Sequence, residues 1–160
     1  MNFFLDTSVL VKLFHNELGT DLVTQIIEHP TTEVWLSDLA RIEFTSALYR
    51  RFLNKELDEI RLHTSIINFE RQYTDFHLEP LNRLVIDEAR LLLKKYGKVY
   101  GLRTLDALHL GTFSLISEQG WCFVTADTVL DDVAKQAGFL SLNPHQNNKL
   151  DLNTWVVGHS

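Results

Sequence analysis

Short apolar runs alternate with longer amphipathic stretches along this chain, a pattern that predicts strands separated by helices. Residues 2–6 read as a strand. An amphipathic helix follows from Val9 to Phe14, reaching toward Glu17, with Gly19 as its end. A second helix runs to Ile27 and stops before Pro30, because proline disfavours helical geometry in the residue before it. After a strand at 34–36, the N-cap types Ser37 and Asp38 open a long helix through Leu53, with Leu39, Ile42, Ala47 and Leu48 on a helical period.

Another helix spans 57–73, and 76–78 is a short strand before Pro80. A helix over 84–96 ends at Gly97, a usual C′ residue, and a loop rich in Lys, Tyr and Gly follows. Thr104 caps a helix to Glu118, and Gly120 ends it. A buried strand at 122–125, a helix over 129–137 and a last strand at 140–142 complete the pattern. Strands alternating with helices of ten or more residues imply an α/β fold, with a parallel sheet of four to five strands between two helical layers. Beyond Pro144 the tail is polar with one apolar island, Trp155 to Val157, and reads either as a loose end or as a segment docked on a neighbouring surface.

Composition narrows the picture. At 160 residues and 45% hydrophobic content the chain fits one domain with a sizeable core, here 1–143, followed by the tail at 144–160. The single Cys122 lies in an apolar run and reads as a buried structural thiol of a reducing compartment, so the cytoplasm is expected. The apolar N-terminus lacks a basic leader and is interrupted by Asp6, a poor signal peptide, and no run reaches the roughly 20 apolar residues of a membrane helix. The net charge of −6 argues against bulk attraction to nucleic acid. Residues 41–103 nevertheless hold 12 Lys or Arg against 9 Asp or Glu, so this middle carries +3 and the flanks −9.

Candidate chemistry rests on carboxylates. Asp6 in FFLDTS and Asp127 in FVTADT each follow an apolar strand, where α/β folds place ligand-binding residues. Either alone reads as an N-cap; as ends of neighbouring strands the two read as metal ligands. Glu43 sits in a helix on or beside its apolar stripe, and Asp106 lies in a first turn, where the helix dipole favours negative charge. Several carboxylates about 4 Å apart repel by about 4 kcal/mol a pair at an effective dielectric of 20, so convergence demands a cation. An oxygen-only set points to a hard ion such as Mg²⁺ or Mn²⁺. Thr7, Ser8 and Thr125 are hydroxyls placed to cap or to steady these acids. His109, one turn after Asp106, reads as a packing histidine and stays outside the site. Lys94, Lys95, Lys98 and Arg103, interleaved with Tyr96 and Tyr100, read equally as an RNA-backbone grip and as a solvated helix end.

FFLDTSVLVKLF, the Glu43 helix, LRTLDALHLGTF and FVTADTVL, in this order, resemble a PIN domain of the VapC toxin type across residues 2–142. The resemblance implies a Mg²⁺- or Mn²⁺-dependent endoribonuclease with Asp6, Glu43, Asp106 and Asp127 as catalytic and metal-binding acids. It further implies an RNA substrate, a cognate antitoxin covering the acidic site and a homodimer. The alternatives are a PIN-like module that binds RNA or protein without cutting it, and a phosphatase with Asp6 as nucleophile. The second fits poorly, since Ser8 stands where that pattern wants a further Asp.

Overall fold

The computed structural model describes residues 1–14, 18–147 and 151–152. Five strands, β1 (Asn2–Leu5), β2 (Glu33–Ser37), β3 (His77–Glu79), β4 (Cys122–Val124) and β5 (Leu140–Leu142), form one sheet in the order β3-β2-β1-β4-β5, every pairing parallel. The chain lays down β1, β2 and β3 outward in one direction, then returns to place β4 on the other side of β1. The strand order therefore reverses between β1 and β4, the position where open α/β sheets leave a crevice at their carboxyl ends.

Side-chain alternation along β1 assigns the two faces. Phe3 and Leu5 enter one core and Phe4 the other, all fully buried. The first core is covered by α1 (Thr7–Leu10), α2 (Thr20–Glu28), α3 (Leu39–Leu53) and α4 (Glu59–Tyr73). The second is covered by α5 (Arg83–Tyr100), α6 (Thr104–Ile116) and α7 (Thr128–Gln136). The result is the three-layer sandwich that the pattern of runs predicts. Among the described residues no helix is long and apolar enough to cross a membrane.

Several boundaries differ from expectation for identifiable reasons. The first helix is a single α-turn, α1, continued by a 3₁₀ turn at Val11–Phe14; its extension toward Glu17 lies outside the described residues. Gly19 opens α2 at φ 91° rather than closing the helix before it, and a Cβ there would stand 2.7 Å from that of Pro144. In α3 the buried stripe is Ala40, Phe44 and Leu48, whereas Ile42 is 70% exposed. Asp38 makes no side-chain cap; the Leu39 N–H donates to Ser37 Oγ at 3.3 Å.

Gly97 does not end α5. The helix continues one turn to Gly101, whose φ of 74° makes it the left-handed C-cap, its N–H bonded to the Gly97 carbonyl at 3.0 Å. Lys98 thus stands on a helix and not in a loop. Thr104 begins α6 but does not cap it, since the N-cap position belongs to Arg103, and α6 stops at Ile116 rather than Glu118. Cys122 is fully buried, which pushes its thiol well up, as an inert structural group requires. In the tail, Leu152 is buried in the first core, and the Trp155 to Val157 island lies outside the described residues.

Candidate active site

Asp6 leaves the end of β1 beside β4, with its backbone N–H bonded to the Val124 carbonyl at 2.9 Å. It occupies the N-cap position of α1, yet its side chain caps nothing. Instead, Oδ2 accepts from Ser8 Oγ at 2.6 Å and from Thr125 Oγ1 at 3.0 Å. Both hydroxyls are fixed in turn by the turn after β4: Ser8 Oγ accepts from the Ala126 N–H at 3.0 Å and Thr125 Oγ1 from the Asp127 N–H at 3.1 Å. Asp6 is thereby buried and aimed by Ser8 of α1 and Thr125 just beyond β4, at the point of order reversal.

Asp127 performs two tasks. Its Oδ1 caps α7 by accepting from the Leu130 N–H at 3.0 Å, while Oδ2 points away and accepts from Arg103 Nη2 at 2.8 Å. Asp106, in the first turn of α6, accepts at Oδ2 from Arg103 Nε, also at 2.8 Å. Arg103 therefore bridges two carboxylates that come from different helices. Burial raises the Asp106 carboxyl above its ordinary value; Arg103 pulls it back in part, and the nearby charges of Asp6 and Asp127 push it up further.

Glu43, on α3 beside the buried Phe44, is reached from two other elements. Thr7 Oγ1 donates to Glu43 Oε2 at 2.7 Å, and His109 Nε2 makes a short bond to the same oxygen. A carboxylate only accepts, so Nε2 carries the proton. His109 is fully enclosed, lies 3.3 Å from Thr7 Oγ1 and faces Asp6 Oδ1 at 3.7 Å; its Nδ1 has no hydrogen-bond partner among the described residues. Burial works against its protonation, but the Glu43 hydrogen bond and the charges of Asp6, Glu43 and Asp106 prevail and raise it. For Glu43, burial likewise opposes the charged form, but the hydrogen bond and charge of His109, the Thr7 hydrogen bond and the charge of Arg103 together outweigh it, lowering that carboxyl.

The four acids from β1, α3, α6 and the turn before α7 thus meet at the carboxyl end of the sheet, with Thr7, Ser8 and Thr125 bonded among them. The packing role expected for His109 is only part of what it does, because it also holds Glu43. Its spacing of three from Asp106 was the available signal. Arg103 lies within the cluster, while Lys94, Lys95 and Lys98 are exposed on α5.

Among the described residues no three His, Cys, Asp or Glu side chains are already gathered as a metal shell. Each acid is turned toward a protein partner. The donors nonetheless suit a hard cation: they are carboxylate oxygens, and two of them already share one cationic group.

The sequence profile of the PIN domain matches residues 3–136. No curated protein matches the chain by sequence. Solved structures do share the fold. FitAcB from Neisseria gonorrhoeae superposes with a TM-score of 0.65 at 18% identity, covering 89% of this chain and 97% of that one. VapC20 from Mycobacterium tuberculosis, described as a sarcin-ricin loop cleaving toxin, gives 0.65 at 17%, covering 89% and 99%. A toxin-antitoxin complex from Klebsiella pneumoniae gives 0.61 at 17%, covering 88% and 96%. Since the match runs from β1 into the last turn of α7 and so takes in all four acids, the chain belongs to the PIN domain family.

Proposed function

We propose that the chain is a metal-dependent endoribonuclease and the toxin of a toxin–antitoxin pair, acting in the cytoplasm. The observation that carries this reading is the convergence of Asp6, Glu43, Asp106 and Asp127 from four elements at the point where the strand order reverses, each carboxylate oriented by a separate hydrogen bond. Mg²⁺ or Mn²⁺ would be held by these four acids and would supply water activation and charge neutralisation for phosphodiester hydrolysis.

The chain's own residues do the rest. Ser8 and Thr125 hold Asp6 in one rotamer, Thr7 and His109 hold Glu43, and Arg103 offers a guanidinium at the mouth. Lys94, Lys95 and Lys98 present charge to the RNA backbone from the exposed face of α5, with Tyr100 in the same last turns. No protein nucleophile is required. The toxin assignment draws support from the FitAcB, VapC20 and Klebsiella likenesses, and the exposed apolar side chains Ile42, Tyr49 and Leu53 on α3 and Ile60 and Ile67 on α4 are surface for an antitoxin or a second copy.

The deciding experiment incubates wild type and Asp6→Asn with tRNA, rRNA fragments and single-stranded RNA, in Mg²⁺, Mn²⁺ or EDTA. The nuclease reading expects cleavage that needs metal and is lost in the variant. RNA binding without cleavage, equal in both proteins, would instead favour the non-catalytic module. In the same assay a Lys94/Lys95/Lys98 triple-alanine variant should bind RNA more weakly, with a shallower dependence on salt.

A further inference from the structure

Arg103 sits between two carboxylates at the entrance to α6. Nε donates to Asp106 and Nη2 to Asp127, both at 2.8 Å, and its charge is also felt by Glu43 and Asp6. The backbone beneath it is fixed: Leu102 is buried in the core under α5 to α7, and the Arg103 carbonyl accepts from the Ala107 N–H at 2.9 Å. The side chain itself is 70% exposed. Any movement of the guanidinium is therefore a rotamer change at the surface, which takes picoseconds to nanoseconds and costs no packing.

A guanidinium and a divalent cation make the same demand on Asp106 and Asp127. The guanidinium spreads one positive charge over oxygens at hydrogen-bonding distance, whereas a Mg²⁺-type ion draws carboxylate oxygens to about 2.0–2.1 Å and brings two charges. The two compete, because a divalent cation held by Asp106 and Asp127 would draw on the same carboxylates and its charge would repel the guanidinium. We propose that Arg103 is a built-in competitor of the metal: it ties Asp106 to Asp127, and metal seating requires it to let go, which frees the guanidinium for a phosphate at the mouth of the site. This rests on the reading of the quartet as a metal site. It makes metal affinity a property set partly by an arginine that is not a ligand.

Replacing Arg103 should therefore strengthen metal binding. An exposed ion pair accounts for a factor of up to about five, and forked sharing of the half-buried Asp106 takes the expected gain for Arg103→Gln to about tenfold. Arg103→Lys should fall between, because one ammonium cannot fork across two carboxylates. The test is calorimetric titration of the full chain with Mn²⁺ for wild type, Arg103→Gln, Arg103→Lys and the charge-matched Arg90→Gln, whose side chain is exposed on α5, with thermal melts to show that each is folded. Tighter binding in the order Gln, Lys, wild type, with Arg90→Gln at the wild-type value, is the expected result. Equal or weaker binding by both Arg103 variants overturns the proposal, and so does equal tightening by Arg90→Gln, which would be a diffuse charge effect. No Mn²⁺ uptake by any of the four folded proteins, the Arg103 variants included, would instead remove the metal reading itself, and the competitor with it.

Discussion

At the scale of single residues, the site is a set of acids each tied to a partner, and His109 is the partner with the clearest pH signature. Its imidazole is raised above the ordinary value, so the folded protein favours the protonated form more than the unfolded chain does. Stability from this source is fully present below the ordinary imidazole value of about 6.5 and is lost as pH rises through the raised folded value. Glu43 is shifted the other way, so its share is present above its ordinary value and is lost as pH falls through the lowered one. In EDTA the urea midpoint of the wild type should therefore decline on the alkaline side of about pH 6.5, and His109→Gln, which can still donate to Glu43, should flatten that limb. Parallel curves for the two proteins would show that the imidazole contributes nothing to this slope. Asp6, Asp106 and Asp127 were readable from sequence because each marks a strand end or a first helical turn. The role of His109 was not, since a histidine in an apolar helix looks the same whether it fills the core or reaches across it to a glutamate on another element.

The elements show the same limit at larger range. The strands and the order of helices follow from local patterning, yet the phase of α3 does not. The expected positions Leu39, Ile42, Ala47 and Leu48 are spread over most of the helix circumference, and packing against the β1 and β2 side of the sheet selects Ala40, Phe44 and Leu48, with only Leu48 in common. The helix expected to end at Gly97 runs on to Gly101, and the added turn brings Tyr100 into packing against the second core. The close crossing of α5 and α6 is where an element-level prediction is sharpest. Gly111 of α6 is buried, and a Cβ there would lie 3.1 Å from the Ala89 nitrogen and 3.3 Å from the Val85 carbonyl oxygen, both backbone atoms of α5 that no rotamer change can move. Gly111→Ala gains about 1 kcal/mol of helix propensity but meets an overpacking cost of about 1–3 kcal/mol. A net loss of about 1 kcal/mol is expected, seen as a melting temperature lower by about 2–4 °C. A variant that melts at or above the wild-type temperature would mean that α5 yields at this crossing.

Across the whole molecule, the sheet order concentrates negative charge at one end of a chain whose net charge is already −6. Asp6 and Asp127 meet because β4 returns to the free side of β1, a placement that the alternation of strands and helices made readable; Glu43 and Asp106 join them only through the packing of α3 and α6 on opposite faces. On the proposed reading such a site serves function at a cost in stability, so removing one of its charges should not weaken the fold. Asp6→Asn keeps a carbonyl oxygen to accept from Ser8 and Thr125 while deleting a charge beside Asp106. Its melting temperature in EDTA should equal or exceed that of the wild type. If the four acids hold a cation as proposed, Mn²⁺ should reverse the comparison, since a ligand at 100 times its Kd adds about 2.7 kcal/mol to stability. For a domain of this size that corresponds to a rise of about 5–10 °C in Mn²⁺ for the wild type, and a much smaller one for the variant. The two melts thus cross on adding metal. If Asp6→Asn melts clearly below the wild type in EDTA, Asp6 is primarily a structural hub for the β1 and β4 turns, and the convergence of the four acids loses its main explanation as a cation site.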